Sequence, residues 1–194
     1  SMTGPFKPEE FTDTYTLVRS LKNGWFNENG GYAYYVDGEK YYGVQEVDGL
    51  YYDFGDTGIN AGQTPYTGMF EKDGQKYYAQ FGKLASGWFA LNGSYYYFDT
   101  ATFRAHTGVS NIKGHVYTFN EEGQLILGAF VETEKGTRYY WAGSLVARAW
   151  IETENGLMYV DNDGYVAYGH CPVMENATED PLWWYFNEET GIRE

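Results

Sequence analysis

The sequence predicts an all-β protein built as an elongated solenoid of stacked β-hairpin repeats, each about 20 residues long. A motif of one glycine, a short turn and a tyrosine-rich strand recurs along most of the chain. Near-equal periods of this kind are typical of repeat architectures. The chain also contains 25 Gly and 21 Tyr among its 194 residues. Frequent glycines and turns interrupt any helical pattern, so helix is poorly supported.

Aromatic residues, which make up 20% of the chain, are expected to form its core. A Tyr or Trp ring buries a large apolar face while its polar atom reaches water. A single hairpin is not stable by itself in water. Each hairpin is therefore expected to pack its rings against the next one, and the stability of such an array adds roughly unit by unit.

Eight copies of the motif align on their first residue. The stretch 1–23 is less regular, and it is expected to be a leader or the tail of a preceding repeat. The array is then expected to span 24–194. Its copies begin at Gly24, Gly43, Gly68, Gly87, Gly108, Gly128, Ala149 and Gly169.

Each copy is predicted to fold as a hairpin because a turn-forming pair of residues precedes its tyrosines. Asn-Gly and Asp-Gly favour the positive-φ turns that join twisted antiparallel strands. The strand after the turn carries aromatic pairs such as Tyr77-Tyr78. The predicted turns lie at Asn29-Gly30, Asp48-Gly49, Asp73-Gly74, Asn92-Gly93, Lys113-Gly114, Lys135-Gly136 and Asn155-Gly156.

Composition excludes several classes of function. A net charge of -14 argues against nucleic-acid binding, which needs Lys and Arg against the phosphates. No apolar run approaches the roughly 18 residues of a membrane span. The single cysteine, Cys171, cannot form an internal disulfide. No residue spacing indicates a catalytic group, a metal site or a cofactor, and the sequence leaves the oligomeric state open.

The motif G-W-x(3-4)-N-G-x-Y-Y-Y-F, best preserved at 87–98, resembles the cell-wall-binding repeats of Gram-positive surface proteins. That superfamily includes choline-binding repeats, glucan-binding repeats of glucosyltransferases and the repetitive domains of large clostridial toxins. The resemblance covers about residues 17–194. It implies a non-catalytic module that is extracellular, either on a bacterial cell surface or secreted. Any catalytic domain of the parent protein would lie elsewhere.

In choline-binding members, the resemblance implies aromatic cages between consecutive repeats. Each cage needs a ring after the first glycine, a ring at the start of the aromatic triplet, and a ring from the next repeat. Ring faces attract a quaternary ammonium, which has no hydrogen-bond donor. The ring after the first residue is present at Trp25, Trp88 and Trp150.

At the triplet position the sequence alignment gives Tyr95 and Trp183, and either Leu50 or Tyr51 in the second repeat. Only the fourth repeat is then expected to keep both rings, with Tyr117 as a third wall. The other triplet positions are assigned to Ala33, Lys76, Val116, Arg138 and Met158.

Three functions remain open from the sequence. The first is an attachment module that stacks its rings on the saccharides of a cell-wall polymer or of glucan, gaining avidity from several weak sites. The second is a structural spacer or protein-interaction stalk without a small-molecule ligand. The third is a choline-binding module with few surviving cages. The candidate ligand-binding residues are Trp88, Tyr95, Tyr97, Tyr117, Trp25 and Trp150.

Overall fold

The computed structural model describes residues 20–174, 176, 178 and 180–194, and these residues form only strands, bridges, turns and irregular links. The all-β class predicted from the sequence is therefore confirmed. Most of the predicted leader, residues 1–19, lies outside the described residues. Within the described ranges, a search for a helix long and apolar enough to cross a membrane finds none.

The chain divides into two compact units, the first ending at Tyr66 and the second beginning at Thr67. The first unit contains hairpin 1, formed by β1–β3, and hairpin 2, formed by β4 and β5. The strands are β1 (Gly24–Glu28), β2 (Gly31–Val36), β3 (Glu39–Lys40), β4 (Val44–Val47) and β5 (Leu50–Asp53).

The second unit contains six more antiparallel hairpins, numbered 3 to 8. Hairpins 3, 5 and 6 have a short third strand, whereas hairpins 4, 7 and 8 have two strands. Hairpin 3 is β6 (Gly68–Lys72), β7 (Gln75–Gln80) and β8 (Lys83–Leu84); hairpin 4 is β9 (Gly87–Leu91) and β10 (Ser94–Phe98); hairpin 5 is β11 (Gly108–Ile112), β12 (His115–Phe119) and β13 (Leu125–Ile126). Hairpin 6 is β14 (Gly128–Thr133), β15 (Gly136–Trp141) and β16 (Ser144–Leu145); hairpin 7 is β17 (Ala149–Thr153) and β18 (Gly156–Val160); hairpin 8 is β19 (Gly169–Val173) and β20 (Leu182–Phe186).

The turns of hairpins 1 to 5 have the predicted geometry. In hairpin 4, Asn92 has φ 51° and Gly93 has φ 79°, and the flanking Leu91 and Ser94 pair directly. Positive φ at both central residues matches the right-handed twist of the strands. The same pattern occurs at Asn29-Gly30, Asp48-Gly49, Asp73-Gly74 and Lys113-Gly114.

The predicted turn positions in hairpins 6 and 7 are wrong by one residue. The first return-strand residues are Gly136 and Gly156, which pair with Thr133 and Thr153, so the central pairs are 134–135 and 154–155. The threonine hydroxyl explains the difference. In hairpin 6 it accepts the N–H of Lys135 at 3.3 Å and donates to the carbonyl of Gly136 at 2.7 Å. Such local hydroxyl bonds favour a turn without a positive-φ pair.

Strand register corrects the alignment of the aromatic triplets. Tyr95 lies opposite Ala90, and Ala90 is the fourth residue of its hairpin counted from Gly87. The corresponding residue in hairpin 1 is Tyr32, not Ala33. It is Leu157, not Met158, in hairpin 7, and Tyr51 in hairpin 2.

The prediction that only the fourth repeat keeps both rings is therefore wrong, because hairpin 1 carries Trp25 and Tyr32. A one-residue slip moves a side chain to the other face of a strand. The pairing counted from the first residue of each hairpin determines which ring corresponds to Tyr95. The sequence of the aromatic triplet does not.

In several pairs of successive hairpins within a unit, the rings of one hairpin pack on those of the next. Between hairpins 3 and 4, the Tyr78 and Phe89 ring centroids are 4.7 Å apart, next to the fully buried Phe98. Main-chain bonds support this packing. For example, Ala105, in the link after hairpin 4, donates its N–H to the carbonyl of Lys76 in hairpin 3 at 2.8 Å. The predicted stacking of consecutive hairpins is thus present within each unit, while the elongation of the whole array stays a prediction.

Candidate functional site: aromatic clusters between hairpins

Three aromatic clusters share one geometry and lie where a tryptophan follows the first residue of a hairpin. This occurs in hairpins 1, 4 and 7, that is, in every third hairpin. Each tryptophan packs on the tyrosine opposite it and on two rings of the following hairpin. The Trp25 cluster consists of Trp25, Tyr34, Tyr52 and Phe54; the Trp88 cluster of Trp88, Tyr97, Tyr117 and Phe119; the Trp150 cluster of Trp150, Tyr159, Trp184 and Phe186.

Strand alternation places the residues of the Trp88 cluster. Trp88 lies directly opposite Tyr97, so their side chains share one face of hairpin 4. Tyr95 lies two residues away and shares that face, because side chains alternate along a strand. In hairpin 5, Tyr117 and Phe119 are likewise two residues apart and both pack on Trp88.

In the Trp88 cluster, two tyrosines meet the indole edge to face. The Trp88 centroid is 5.2 Å from that of Tyr97 and 4.7 Å from that of Tyr117, at interplanar angles of 67° and 69°. Phe119 lies behind the indole, 5.9 Å away and 2% exposed. Trp88 itself is 43% exposed. The rings therefore form an open corner with a buried phenylalanine as its base.

The Trp25 cluster repeats this arrangement within the first unit. The Trp25 centroid is 5.2 Å from that of Tyr34 and 5.0 Å from that of Tyr52, at 71° and 76°. Phe54 is again the buried base, 5.6 Å away. The register places Tyr32 on the same face of hairpin 1 as Trp25, as Tyr95 is in hairpin 4.

The Trp150 cluster has the same ring positions but a different rim. The Trp150 centroid is 5.3 Å from that of Tyr159 and 6.0 Å from that of Trp184, which stands at 90° to it. Phe186 is the buried base. A cavity of about 230 Å³ opens beside Trp150 and Trp184, and Arg193 is also part of its wall.

A further wall position distinguishes the three clusters. In each cluster, one further residue donates its main-chain N–H to the main-chain carbonyl of the cross-strand tyrosine. This residue is Tyr41 in the first cluster, His106 in the second and Ala167 in the third. The Tyr41 ring lies 5.2 Å from Tyr34, and the His106 ring lies 5.0 Å from Tyr97. Because the alanine adds no ring, the Trp150 cluster is the least enclosed by aromatic groups on this side.

His106 is held by a serine and an aspartate. Its Nδ1 lies 2.9 Å from Ser110 Oγ, and its Nε2 lies 3.4 Å from Asp99 Oδ2. Hydrogen bonds from the main-chain N–H groups of Thr102 and Ala101 lower the pKa of the Asp99 carboxyl to about 2.

The order Ser110, His106 and Asp99 resembles a hydrolase relay, and the sequence did not indicate that these three groups would meet. The aspartate is however engaged mainly by its own loop, as its bonds to Thr102 and Ala101 show. Both neighbours of His106 also fix the plane of its ring beside Tyr97. We interpret the three residues as the support for one wall of the Trp88 cluster.

The six predicted site residues are placed as follows. Trp88, Tyr97 and Tyr117 lie in one cluster, and Trp25 and Trp150 take the same position in the other two. Tyr95 shares the strand face of Trp88 and is 55% exposed. Within the described part of the chain it makes no ring contact, and its exposure and strand face place it at the rim of the corner.

Sequence reasoning missed the rings that complete the clusters. Apart from Tyr117, the rings contributed by the following hairpin were not selected, and neither were the cross-strand partners in hairpins 1 and 7. Pairing each hairpin from its first residue would have found the cross-strand rings. The missed residues are Tyr34, Tyr41, Tyr52, Phe54, His106, Phe119, Tyr159, Trp184 and Phe186.

Solved structures similar to this chain include choline-binding proteins. Choline binding protein F from Streptococcus pneumoniae matches at 20% identity and a TM-score of 0.49, over 89% of this chain and 57% of its own. CbpJ from Streptococcus pneumoniae TIGR4 matches at 20% identity and a TM-score of 0.49, over 89% of this chain and 58% of its own. The choline-binding domain of CbpL from Streptococcus pneumoniae matches at 23% identity and a TM-score of 0.48, over 79% of this chain and 78% of its own.

Two of these neighbours are named as choline-binding, which is one of the repeat classes that the motif resembles. The chain spans a little under three fifths of the length of the first two, 57% and 58%. No protein-family profile matches the chain. No curated protein matches it either.

Proposed function

We propose that this chain is a non-catalytic module that attaches its parent protein to a bacterial cell-wall polymer carrying a quaternary ammonium group such as choline. The binding sites are the open corners of the Trp25 and Trp88 clusters. The observation that carries the proposal is the recurrence of one ring geometry in separate hairpin pairs. Core packing alone requires buried rings, but it does not require Trp88 to be 43% exposed at the mouth of its corner.

The angle between the rings favours a compact cation over a flat ligand. Trp88 and Tyr117 stand at 69° to each other, so a trimethylammonium group can touch two ring faces at once. Each face contributes roughly 0.5–2 kcal/mol to holding such a cation. Tyr95 lies on the same strand face as Trp88 and offers one more ring on this side of the hairpin. The protein's net charge of -14 adds long-range attraction for a cation.

Binding at the cell surface gains from the number of sites. A single corner with two or three ring faces gives weak binding. A polymer that repeats its ammonium group can occupy two clusters of one chain at once, which raises the avidity without any new contact. Location on a bacterial surface, or secretion, is part of this proposal because the polymer is found there.

A second candidate ligand is a neutral saccharide of the wall or of glucan. Trp141 and Trp183 favour it, being 53% and 66% exposed. Across the ranges that the structure describes, neither indole packs on another ring, so each presents a free face. The CH groups of a pyranose stack on such faces.

A tryptophan-fluorescence titration tests the two ligands against each other. Choline chloride is added to the intact chain, and soluble glucan is added in parallel. We expect a saturable change with choline that Trp88→Ala reduces and that the control Trp141→Ala leaves in place. A response to glucan alone, lost in Trp141→Ala, would replace the proposal with saccharide stacking. No response to either ligand from a folded protein would favour the spacer.

A further inference from the structure

The strongest unexplained feature of the three clusters is a cation that the chain supplies itself. The guanidinium carbon of Arg193 lies 4.8 Å from the ring centroid of Trp184 and 5.7 Å from that of Trp150. Both distances are within the range of cation–π attraction. Arg193 therefore caps the same pair of rings that corresponds to Trp88 and Tyr117 in the second cluster.

The position of Arg193 is fixed by the main chain. Its N–H donates to the carbonyl of Leu157 in hairpin 7 at 2.8 Å, and Arg193 forms a bridge with Phe186. Leu157 is the residue that corresponds to Tyr95, so the rim ring of the second cluster is missing here. The arginine thus lies on the side where the other clusters carry a tyrosine.

Hairpin 5 carries an uncharged residue at the position that Arg193 occupies here. Phe119, the base of the Trp88 cluster, pairs with Leu125 in the link strand β13. Phe186, the base of the Trp150 cluster, pairs in the same way with Arg193. The same backbone position therefore holds an uncharged residue in one cluster and a permanent cation in the other.

We infer that Arg193 acts as a resident cation that closes the Trp150 cluster to quaternary ammonium ligands, an inference that rests on the proposed function of the other two clusters. A guanidinium stays charged at every physiological pH. Its charge repels a second cation that approaches the same two rings, and its plane covers ring surface that the ligand would use. The clusters around Trp25 and Trp88 bind cations, and the Trp150 cluster does not.

The exposure of Arg193 agrees with this assignment. The arginine is exposed at the mouth of the cavity and reaches it from the link after β20. Its side chain can therefore be exchanged without disturbing the buried Phe186 beneath it.

Reciprocal substitutions test the inference. In the background Trp25→Ala/Trp88→Ala, tetramethylammonium chloride is titrated and tryptophan emission is followed. We expect Arg193→Leu, which installs the residue of hairpin 5, to gain a saturable response that the background lacks, because the freed rings can then attract the added cation. Arg193→Lys, which keeps the charge, and Arg148→Ala, which removes an arginine elsewhere, should gain nothing.

The opposite exchange is made in the second cluster. With Trp25→Ala alone as background, Leu125→Arg should weaken the response of the Trp88 cluster, while Leu125→Gln should retain most of it. Far-ultraviolet circular dichroism checks that each variant is folded. Should Arg193→Leu fail to fold, Arg193→Gln makes the same test, because it removes the charge and keeps a polar side chain.

The outcomes separate this inference from the proposed function. If the wild type binds tetramethylammonium but Arg193→Leu and Arg193→Gln add no response, the resident-cation inference is overturned and the proposed function stands. If the wild type shows no response and Arg193→Leu gains one, the inference holds and the function proposed for the other clusters fails. A gain with Arg193→Lys equal to that with Arg193→Leu would also overturn the role of charge.

Discussion

The indole of Trp88 in hairpin 4 meets the phenol ring of Tyr117 in hairpin 5 edge to face, with centroids 4.7 Å apart and planes at 69°. This contact links two successive repeats and at the same time creates the corner proposed as a binding site. Stability and function therefore depend on the same rings. Substitutions that remove a ring from the corner, or a ring from the core, can separate the two.

Removing the Tyr117 ring should weaken cation binding. Tyr117→Ala deletes one wall of the corner, and the loss of one cation–π contact should lower the choline affinity of this cluster roughly 2- to 30-fold. Tyr117→Phe keeps the ring and should bind nearly as well as the wild type. Isothermal titration calorimetry in a Trp25→Ala background measures this cluster alone. Equal affinities for the Ala and Phe variants would contradict the role of the ring.

Deleting a buried ring should destabilise the second unit. Phe98 is fully buried in a cluster with Tyr78, Tyr96 and Ala105. Phe98→Ala leaves a cavity there, and we expect a loss of about 3–5 kcal/mol in the free energy of unfolding. Phe81→Ala is the matched control, because this ring is 74% exposed, and it should change stability by less than about 0.5 kcal/mol. Urea unfolding compares the two, and a small loss for Phe98→Ala would show that the packing is loose.

Two lysine-glycine turns should respond differently to the same substitution. Lys113 has φ 52°, a conformation that suits asparagine better than lysine. Lys113→Asn should therefore stabilise the protein by up to about 1 kcal/mol. Lys135 is the control, because its turn is formed by Thr133 and has no positive-φ residue before Gly136. A shift in the thermal midpoint for Lys135→Asn as large as that for Lys113→Asn would contradict the assigned turn types.

The loop that supports His106 should lose stability in acid. The pKa of Asp99 is about 2 in the folded protein, against 3.8 for the unperturbed group, chiefly because the Thr102 N–H bonds its carboxylate. A folded-state pKa below the unfolded value means that the stabilising contribution is complete above about pH 4 and is lost as the pH falls toward 2.

Asp99→Asn should consequently be less stable than the wild type at pH 7, and this difference should shrink between pH 4 and pH 2. Urea unfolding of both proteins at several pH values measures it. A difference that stays constant down to pH 2 would show that the Asp99 carboxylate is not stabilised in the folded loop.

The sequence predicted the features that depend on local chemistry. An Asn-Gly pair such as Asn92-Gly93 determines its turn within four residues, so the positions of most hairpins follow from the amino-acid sequence alone. The turns near Lys135 and Asn155 were predicted one position too late, because a threonine two residues before each of them shifts the turn. The choice of Ala33 instead of Tyr32 as the counterpart of Tyr95 was likewise an error of one residue in register.

The composition of the clusters could be predicted only in part. Trp88 and Tyr97 are partners within one hairpin, so their proximity follows from the pairing of neighbouring strands. Phe119 and Trp184 reach their tryptophans from the next hairpin, and that contact depends on how two hairpins stack. Arg193 is placed by a main-chain bond to Leu157, 36 positions earlier in the chain, a non-local link that no sequence motif records.

The most direct test of the central claim is an isothermal titration of choline chloride into the wild type and into Trp25→Ala/Trp88→Ala. We expect saturable binding to the wild type and its loss in the double variant, with circular dichroism showing that both remain folded. If the double variant binds choline with the same heat and affinity as the wild type, these corners do not hold the ligand. The absence of saturable binding to the wild type would contradict the choice of a quaternary ammonium.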